Sequence, residues 1–468
     1  MTKVYASPSK NFFVDMLTRD IELDDAILDL LDNCIDGVVR QLHKLGKPRD
    51  GDMPYEGYWA KIHANQEEFS ITDNCGGIPR DIAINSAFRL GRPDLELDRD
   101  IATVGMYGIG MKRALFKMGK NSFVVSKNEG DAYEVRISQE WLTDDDNWDL
   151  TLEEVESPFD YDGTKITVNH LRSNVMRKFD SINNTFLDGL SNRISQIFGV
   201  IIKKGFTIFL NGNEIIGANL NMLSPKDYSS SEQIQPYLYS SEIDNVKIEL
   251  VVGFYRELYS DSESDDIEVT PRAAENAGWT IICNDRVVLY KDKSHVTGWG
   301  VGNVPSYHPQ FRAISGVVKF FSKDSAKLPL TSTKRGLDQG NDIYGHVLKY
   351  MTEGMKLFTD FTNRWKGREV ETKDAFESLV LQDATDIPDL ISSDHWRPVR
   401  GGHDSEKKIL PILPKPVREE MSARIIFYRS KEDIKYLGEQ LFDDPETKAS
   451  DVGGECFDIV LKEEREKK

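Results

Sequence analysis

The sequence predicts a mixed α/β fold divided among several domains, and three observations carry that expectation. Segments with the three- and four-residue spacing of helices alternate with segments of two-residue, strand-like spacing. The chain has 468 residues, more than one hydrophobic core ordinarily serves. At 39% hydrophobic and 10% aromatic residues, it carries enough apolar surface for folded cores.

The elements follow in order. Residues 22–44, ELDDAILDLLDNCIDGVVRQLHK, form a helix whose apolar side includes Ile27, Leu28, Leu31 and Ile35. WAKIHA and EFSITD alternate like paired strands and end in DNCGGIPRD, a turn rich in Gly and Asn. A glycine-punctuated stretch then leads to a helix beginning near Met111. NSFVVSKN, AYEVRIS and GTKITVNHL are strands, residues 179–202 an amphipathic helix, and FTIFLNGNEI a hairpin. From about residue 219, the strands VKIELVVGFYRE, GWTIICNDRVVLYKD and FRAISGVVKFF are separated by polar loops, and 341–367 is a long helix. The stretch 367–423, rich in Pro and charge, reads as linker. The remainder reads as a strand, a helix opened by Ser430 and a helix opened by Ser450. The expected division is therefore 1–218, 219–366, 367–423 and 424–468.

A net charge of −19 and a pI near 5.0 favour solubility and oppose a protein that coats nucleic acid, because phosphate neutralisation needs clustered Lys and Arg. A local basic patch stays open. Cys34, Cys75, Cys283 and Cys456 lie far apart without metal-ligand spacing, which predicts free thiols in a reducing compartment. MTKVYASPSK lacks the apolar core of a signal peptide, and no apolar run reaches the length of a membrane span. A cytoplasmic location is the expectation.

Three stretches carry chemistry. The long helix crowds Asp29, Asp32, Asn33 and Asp36 together. A solvated acidic face is the plain account, but Asp29 and Asn33 are four residues apart and share one face. An Asn oxygen can enter a magnesium shell, and a carboxylate one turn earlier can polarise water for attack on a γ-phosphate. At the end of EFSITD, Asp73 can accept a hydrogen bond from an adenine amino group, while Gly77, lacking a Cβ, lets a flat ring approach the backbone. In GMYGIGMK, Gly105, Gly108 and Gly110 feed a helix whose first N–H groups favour an anion, and Lys112 can add a point charge for a terminal phosphate. The spacing matches neither the Walker loop nor the Rossmann fingerprint.

Taken together, DLLDN, DNCGGI, GMYGIGMK and GTKI, in that order over about 140 residues, resemble the four boxes of the GHKL ATPases. That superfamily includes gyrase B subunits, heat-shock chaperones, MutL and sensor histidine kinases. The resemblance implies a Bergerat α/β sandwich over 1–218 that binds ATP and Mg2+ beneath a lid. It matches Asn33 to the magnesium-bridging Asn and Asp73 to the adenine-reading Asp. Gly77 and the neighbouring Ile78 belong to the adenine-side box, and Thr164 to the threonine near adenine. Gly105, Tyr107, Gly108, Ile109, Gly110 and Lys112 fall in the lid hinge and phosphate cradle. The resemblance implies ATP hydrolysis; hydrolytic relatives place Glu where this chain has Asp29, one methylene shorter, which leaves slow turnover, or binding without turnover, open. If Asp29 does not serve as base, Asp32 is the next choice. No phospho-acceptor His helix accompanies the boxes, which favours hydrolysis over histidine phosphorylation.

The segment FRAISGVVKFFSKDSAKLPLTSTKRGLD resembles the end of the transducer domain in the gyrase, MutL and MORC branch, with the MORC-like and MutL-like members nearest in character. There a loop lysine reaches the γ-phosphate; Lys334 is the match and Lys327 the fallback. The resemblance implies a nucleotide-dependent homodimer, with the catalytic roles on Asp29 and Lys334. The C-terminal strand-helix-helix looks ribbon-helix-helix-like, suited to dimerisation or docking of a partner protein. DNA stays open as a partner and a membrane is not expected. The rival reading is a scaffold that senses ATP without turnover. The action on DNA, in defence or on a client is not specified by these residues.

Overall fold

A computed structural model describes residues 9–49, 51–89, 108–156, 159–180, 185–226, 228, 234–258, 276–331, 334, 336–416 and 425–467. The chain divides into two compact units, Met1–Lys415 and Pro416–Lys468.

The first unit opens with α1 (Lys10–Arg19) and the long helix α2 (Leu23–Lys44), which matches the expected span within a residue. The first sheet takes its strands from β1 (Trp59–Ala64), β2 (Glu68–Asp73), β3 (Gly119–Asn128), β4 (Asp131–Ile137), β5 (Leu152–Glu154), β6 (Gly163–Leu171), β7 (Thr207–Leu210) and β8 (Asn213–Glu214). Their order is β5-β4-β3-β6-β2-β1-β7-β8, antiparallel except where β1 runs parallel to β7. Short helices α3 (Arg80–Ile82), α5 (Gln139–Thr143) and α6 (Ser173–Lys178) bracket the helix α4 (Gly110–Met118) and the strands. The amphipathic segment expected at 179–202 is two helices, α7 (Thr185–Ile197) and α8 (Gly199–Lys203), which break at Phe198. Ala26, Ile27, Leu30, Leu31 and Val38 of α2 are fully buried against this sheet and α4. That burial is why α2 forms despite its acidic residues: helical stability comes mainly from tertiary packing of its apolar face.

The second sheet uses β10 (Tyr237–Ile243), β11 (Val246–Phe254), β12 (Gly278–Cys283), β13 (Arg286–Asp292), β14 (Ile314–Phe321), β16 (Arg397–Pro398) and β17 (Lys407–Ile409). Its order is β13-β12-β14-β11-β10-β17-β16, and β12 is parallel to β14. The helix α9 (Asp342–Trp365) packs Val347, Met351, Met355 and Phe358 onto one face. A separate ribbon pairs β9 (Asn221–Pro225) with β15 (Leu379–Asp383). GWTIICNDRVVLYKD, expected as one strand, is the hairpin β12–β13, because Asn284 and Asp285 adopt left-handed φ of 48° and 64° and reverse the chain. The 367–423 stretch, expected as linker, contributes α10 (Lys373–Glu377), β15, β16 and β17. Ile387, Ile391 and Ile409 enter the apolar core there, so sequence polarity concealed a packed segment.

The second unit contains α11 (Lys431–Phe442), capped by the Ser430 hydroxyl accepting from the Asp433 N–H, and α12 (Ala449–Glu466). Ser450 lies inside α12 rather than at its cap. The stretch expected as a strand before α11 pairs with no strand among the described residues.

Candidate nucleotide site

The site is built around α2. Beside it, Asp73 closes β2, is buried, and stands opposite Thr164 in the β2–β6 register. Its Oδ1 accepts from the Cys75 N–H at 2.9 Å, and the Cys34 thiol of α2 lies 3.5 Å from Oδ2. Burial pushes the Asp73 carboxyl up to about 6, against the pull of the Cys75 and Thr164 amides and the Cys34 thiol. The Thr164 hydroxyl is 3.3 Å from that of Ser126, which also accepts from the Ile78 N–H at 2.7 Å. Gly77 has φ of 68°, and a Cβ there would overlap the Lys127 carbonyl and come within 3.1 Å of that of Gly163. Close backbone packing, not room for a ring, therefore accounts for this glycine.

Nearer the start of α2, Asp29 abuts the start of α4: a Cβ on Gly110 would lie 3.4 Å from its Oδ2. Among the described residues no side chain caps that N-terminus. Desolvation raises the Asp29 carboxyl, an effect that Lys334 opposes more strongly than Arg113 or Arg286 does. Asn33, one turn on, is exposed. Asp32 is 1% exposed and receives the Arg286 guanidinium at 2.7 Å and the Lys334 ammonium at 3.0 Å. Burial would raise its carboxyl, but the two cations outweigh that and hold it low.

Lys334 thus reaches α2 from the loop between Leu330 and Leu337, which bridge each other. The Lys334 N–H donates to the Thr331 carbonyl at 2.9 Å, and its φ of 56° is left-handed. Its own carbonyl accepts from Arg286 at 3.1 Å. Lys327 points elsewhere, donating to the Asp244 carbonyl at 2.9 Å. Lys112 is buried, with its ammonium on the carbonyls of Ala87 and Arg89, both at 2.7 Å. Gly108 has φ of 64°, and Ile109 is the N-cap of α4. Gly105 and Tyr107 lie outside the described residues.

A second buried cluster stands beside the first. Asp285, in the β12–β13 turn, accepts from Lys204 and from the Tyr55 hydroxyl, each at 2.8 Å, with Arg49 3.5 Å away. Each sheet region therefore offers one buried carboxylate to cations of the other: Asp32 to Arg286 and Lys334, Asp285 to Arg49 and Lys204. Sequence reasoning did not single out Arg286, Arg49, Tyr55 or Asp285. The Asn284-Asp285 pair between two apolar runs was the readable signal, since that dipeptide favours a tight hairpin.

Asp73, beside Cys34, and the uncapped start of α4, against Asp29, therefore both face the middle of α2. Residues 21–167 match the family described as "Histidine kinase-, DNA gyrase B-, and HSP90-like ATPase". This part of the chain is a GHKL-type domain, the fold of an ATP-binding family, and no curated protein matches the chain. Among the described residues, no helix is long and apolar enough to cross a membrane.

Proposed function

We propose that the protein is a Mg2+-dependent ATPase in which the terminal phosphate draws Lys334 away from Asp32. The observation that carries this reading is the Lys334–Asp32 ion pair, one turn of α2 from Asp29. Magnesium takes few protein ligands and completes its shell with phosphate and water, so the exposed Asn33 amide fits the role of bridging ligand. The uncapped start of α4 fits an anion. Asp73 accepts from the adenine amino group, with Thr164 and Ile78 beside it; Gly108 to Gly110 support the phosphate side, whereas the Lys112 ammonium is held on the Ala87 and Arg89 carbonyls. Asp29 orients and deprotonates the attacking water, supported by its place against Gly110.

Nucleotide exchange at Lys334 gates self-association of the ATPase regions and, through it, engagement of a partner protein or DNA in the cytoplasm. The four free cysteines suit such a reducing compartment. Sedimentation velocity of the full chain, without nucleotide, with ADP and with a non-hydrolysable ATP analogue, tests the gate. Only the analogue should raise the sedimentation coefficient, and Lys334→Ala should abolish the rise. Identical behaviour in all three states, with Lys334→Ala like wild type, leaves the static scaffold. That second reading is favoured by one observation: Asp29 is one methylene shorter than the Glu of hydrolytic relatives.

A further inference from the structure

We infer that Cys34 is a positioning residue for nucleotide recognition: its thiol steadies the Asp73 carboxylate as a hydrogen-bond acceptor for the adenine amino group. The inference rests on the role proposed for Asp73 and adds the group that sets its state. Cys34 lies at the middle of α2 and is 4% exposed. Its Sγ stands 3.3 Å from the Leu30 carbonyl, one turn back along the helix, and 3.5 Å from Oδ2 of Asp73. A thiol carries one hydrogen, so it serves one of these acceptors at a time. A buried cysteine bonded back to its own helix would be ordinary packing. The second acceptor sets this one apart, because an ionised carboxylate outcompetes a neutral carbonyl for the hydrogen.

The two oxygens of Asp73 are held differently. Oδ1 accepts from the Cys75 N–H at 2.9 Å, and Oδ2 is the oxygen that the Cys34 thiol approaches. An ionised carboxylate has about four lone-pair sites, which leaves room for an incoming amino group. A protonated Asp73 would instead present an O–H to that amino group, donor against donor. Each donor that favours the ionised form therefore counts where burial favours the neutral one. The groups facing the carboxyl are Cys34 from α2, Cys75 from the loop after β2 and the Thr164 amide from β6. Tyr161, ahead of β6, feels the Asp73 charge, and Asp32 of α2 acts on the Cys34 thiol. Burial, reinforced by Asp73, pushes that thiol well up, so it remains a protonated donor while Asp73 titrates. Without its hydrogen, the carboxyl is easier to protonate.

The test is ATP affinity by calorimetry from pH 5 to 8 in wild type, Cys34→Ala and Cys34→Ser. In parallel, the carboxyl band that Asp73→Asn removes is followed by infrared spectroscopy in the nucleotide-free full chain. Wild type should show a midpoint of about 6 in both measurements. Cys34→Ala should move both midpoints up by about half a pH unit or more, with the loss of affinity greatest near pH 6 and shrinking towards pH 8. Cys34→Ser, which restores an O–H donor, should stay at or below the wild-type midpoint. Unmoved midpoints in Cys34→Ala, a loss of affinity equal at every pH, or a Cys34→Ser that shifts like Cys34→Ala would each overturn the inference. A wild-type affinity that is flat with pH would instead sink the adenine assignment of Asp73, while the infrared midpoints still decide whether the thiol holds the carboxylate.

Discussion

Asp29 and Asp73 are both raised by burial, and under the proposed function the consequences differ, because the first would serve chemistry and the second recognition. Asp29→Asn should retain ATP binding and lower turnover by about 10²–10⁴-fold in a steady-state phosphate-release assay. Unchanged turnover would move the base to another group, with Asp32 next in line. For Asp73, the folded value of about 6 stands above the ordinary carboxyl value of 3.8. Its contribution to stability is therefore fully present below the unfolded value and is lost as pH rises through about 6. Recognition has the opposite sign, since the ionised form is the stronger acceptor. ATP affinity should accordingly rise between pH 5 and 7, measured by calorimetry, and flatten in Asp73→Asn. The same variant should melt higher than wild type near pH 8 but lose about 10–100-fold of its ATP-over-GTP preference, the worth of a hydrogen bond to a charged group. Equal wild-type affinities for the two nucleotides would count against the assignment.

The β12–β13 turn is the element that joins the two sheet regions, through Arg286 on Asp32 and Asp285 on Lys204, Tyr55 and Arg49. These carboxyls are held low by their cations despite burial, so their contribution is present above pH 3.8 and is lost as pH falls through the depressed folded values. Removing one partner of a buried pair leaves an uncompensated charge, typically at a cost of roughly 3–5 kcal/mol. Asp285→Ala should thus lower the melting midpoint markedly at pH 7, and the gap to wild type should narrow on acidification; a constant gap would refute the electrostatic account. Much of this fold was legible in the sequence. The periodicity of α2, the alternation of β1 and β2 and the capping residue of α11 are local signals, set by nearest neighbours along the chain. The joint was not, because Arg286 meets Asp32 across 254 positions and no periodicity encodes that distance. Gly77 shows a subtler miss: its need for glycine was readable, but the cause, overlap with the Lys127 carbonyl, depends on how two strands cross. The 367–423 stretch misled because Pro and charge resemble linker composition even where isolated residues such as Ile387 and Ile409 are buried.

At the scale of the whole molecule, the central claim is an exchange: Lys334 neutralises Asp32 until a terminal phosphate offers a stronger partner. A ligand can shift such an equilibrium only by its differential affinity for the two states, and ADP lacks the group that would differ. The exchange also predicts that Asp32→Asn, by weakening the resting hold on Lys334, should increase the preference for triphosphate over diphosphate. Isothermal titration of ADP and a non-hydrolysable ATP analogue into wild type and Lys334→Ala, at one Mg2+ concentration, tests the claim most directly. Wild type should favour the analogue by about 10–100-fold, the usual worth of a charge-assisted contact, and Lys334→Ala should lose that preference with ADP affinity nearly unchanged. The same preference in both proteins would contradict the exchange.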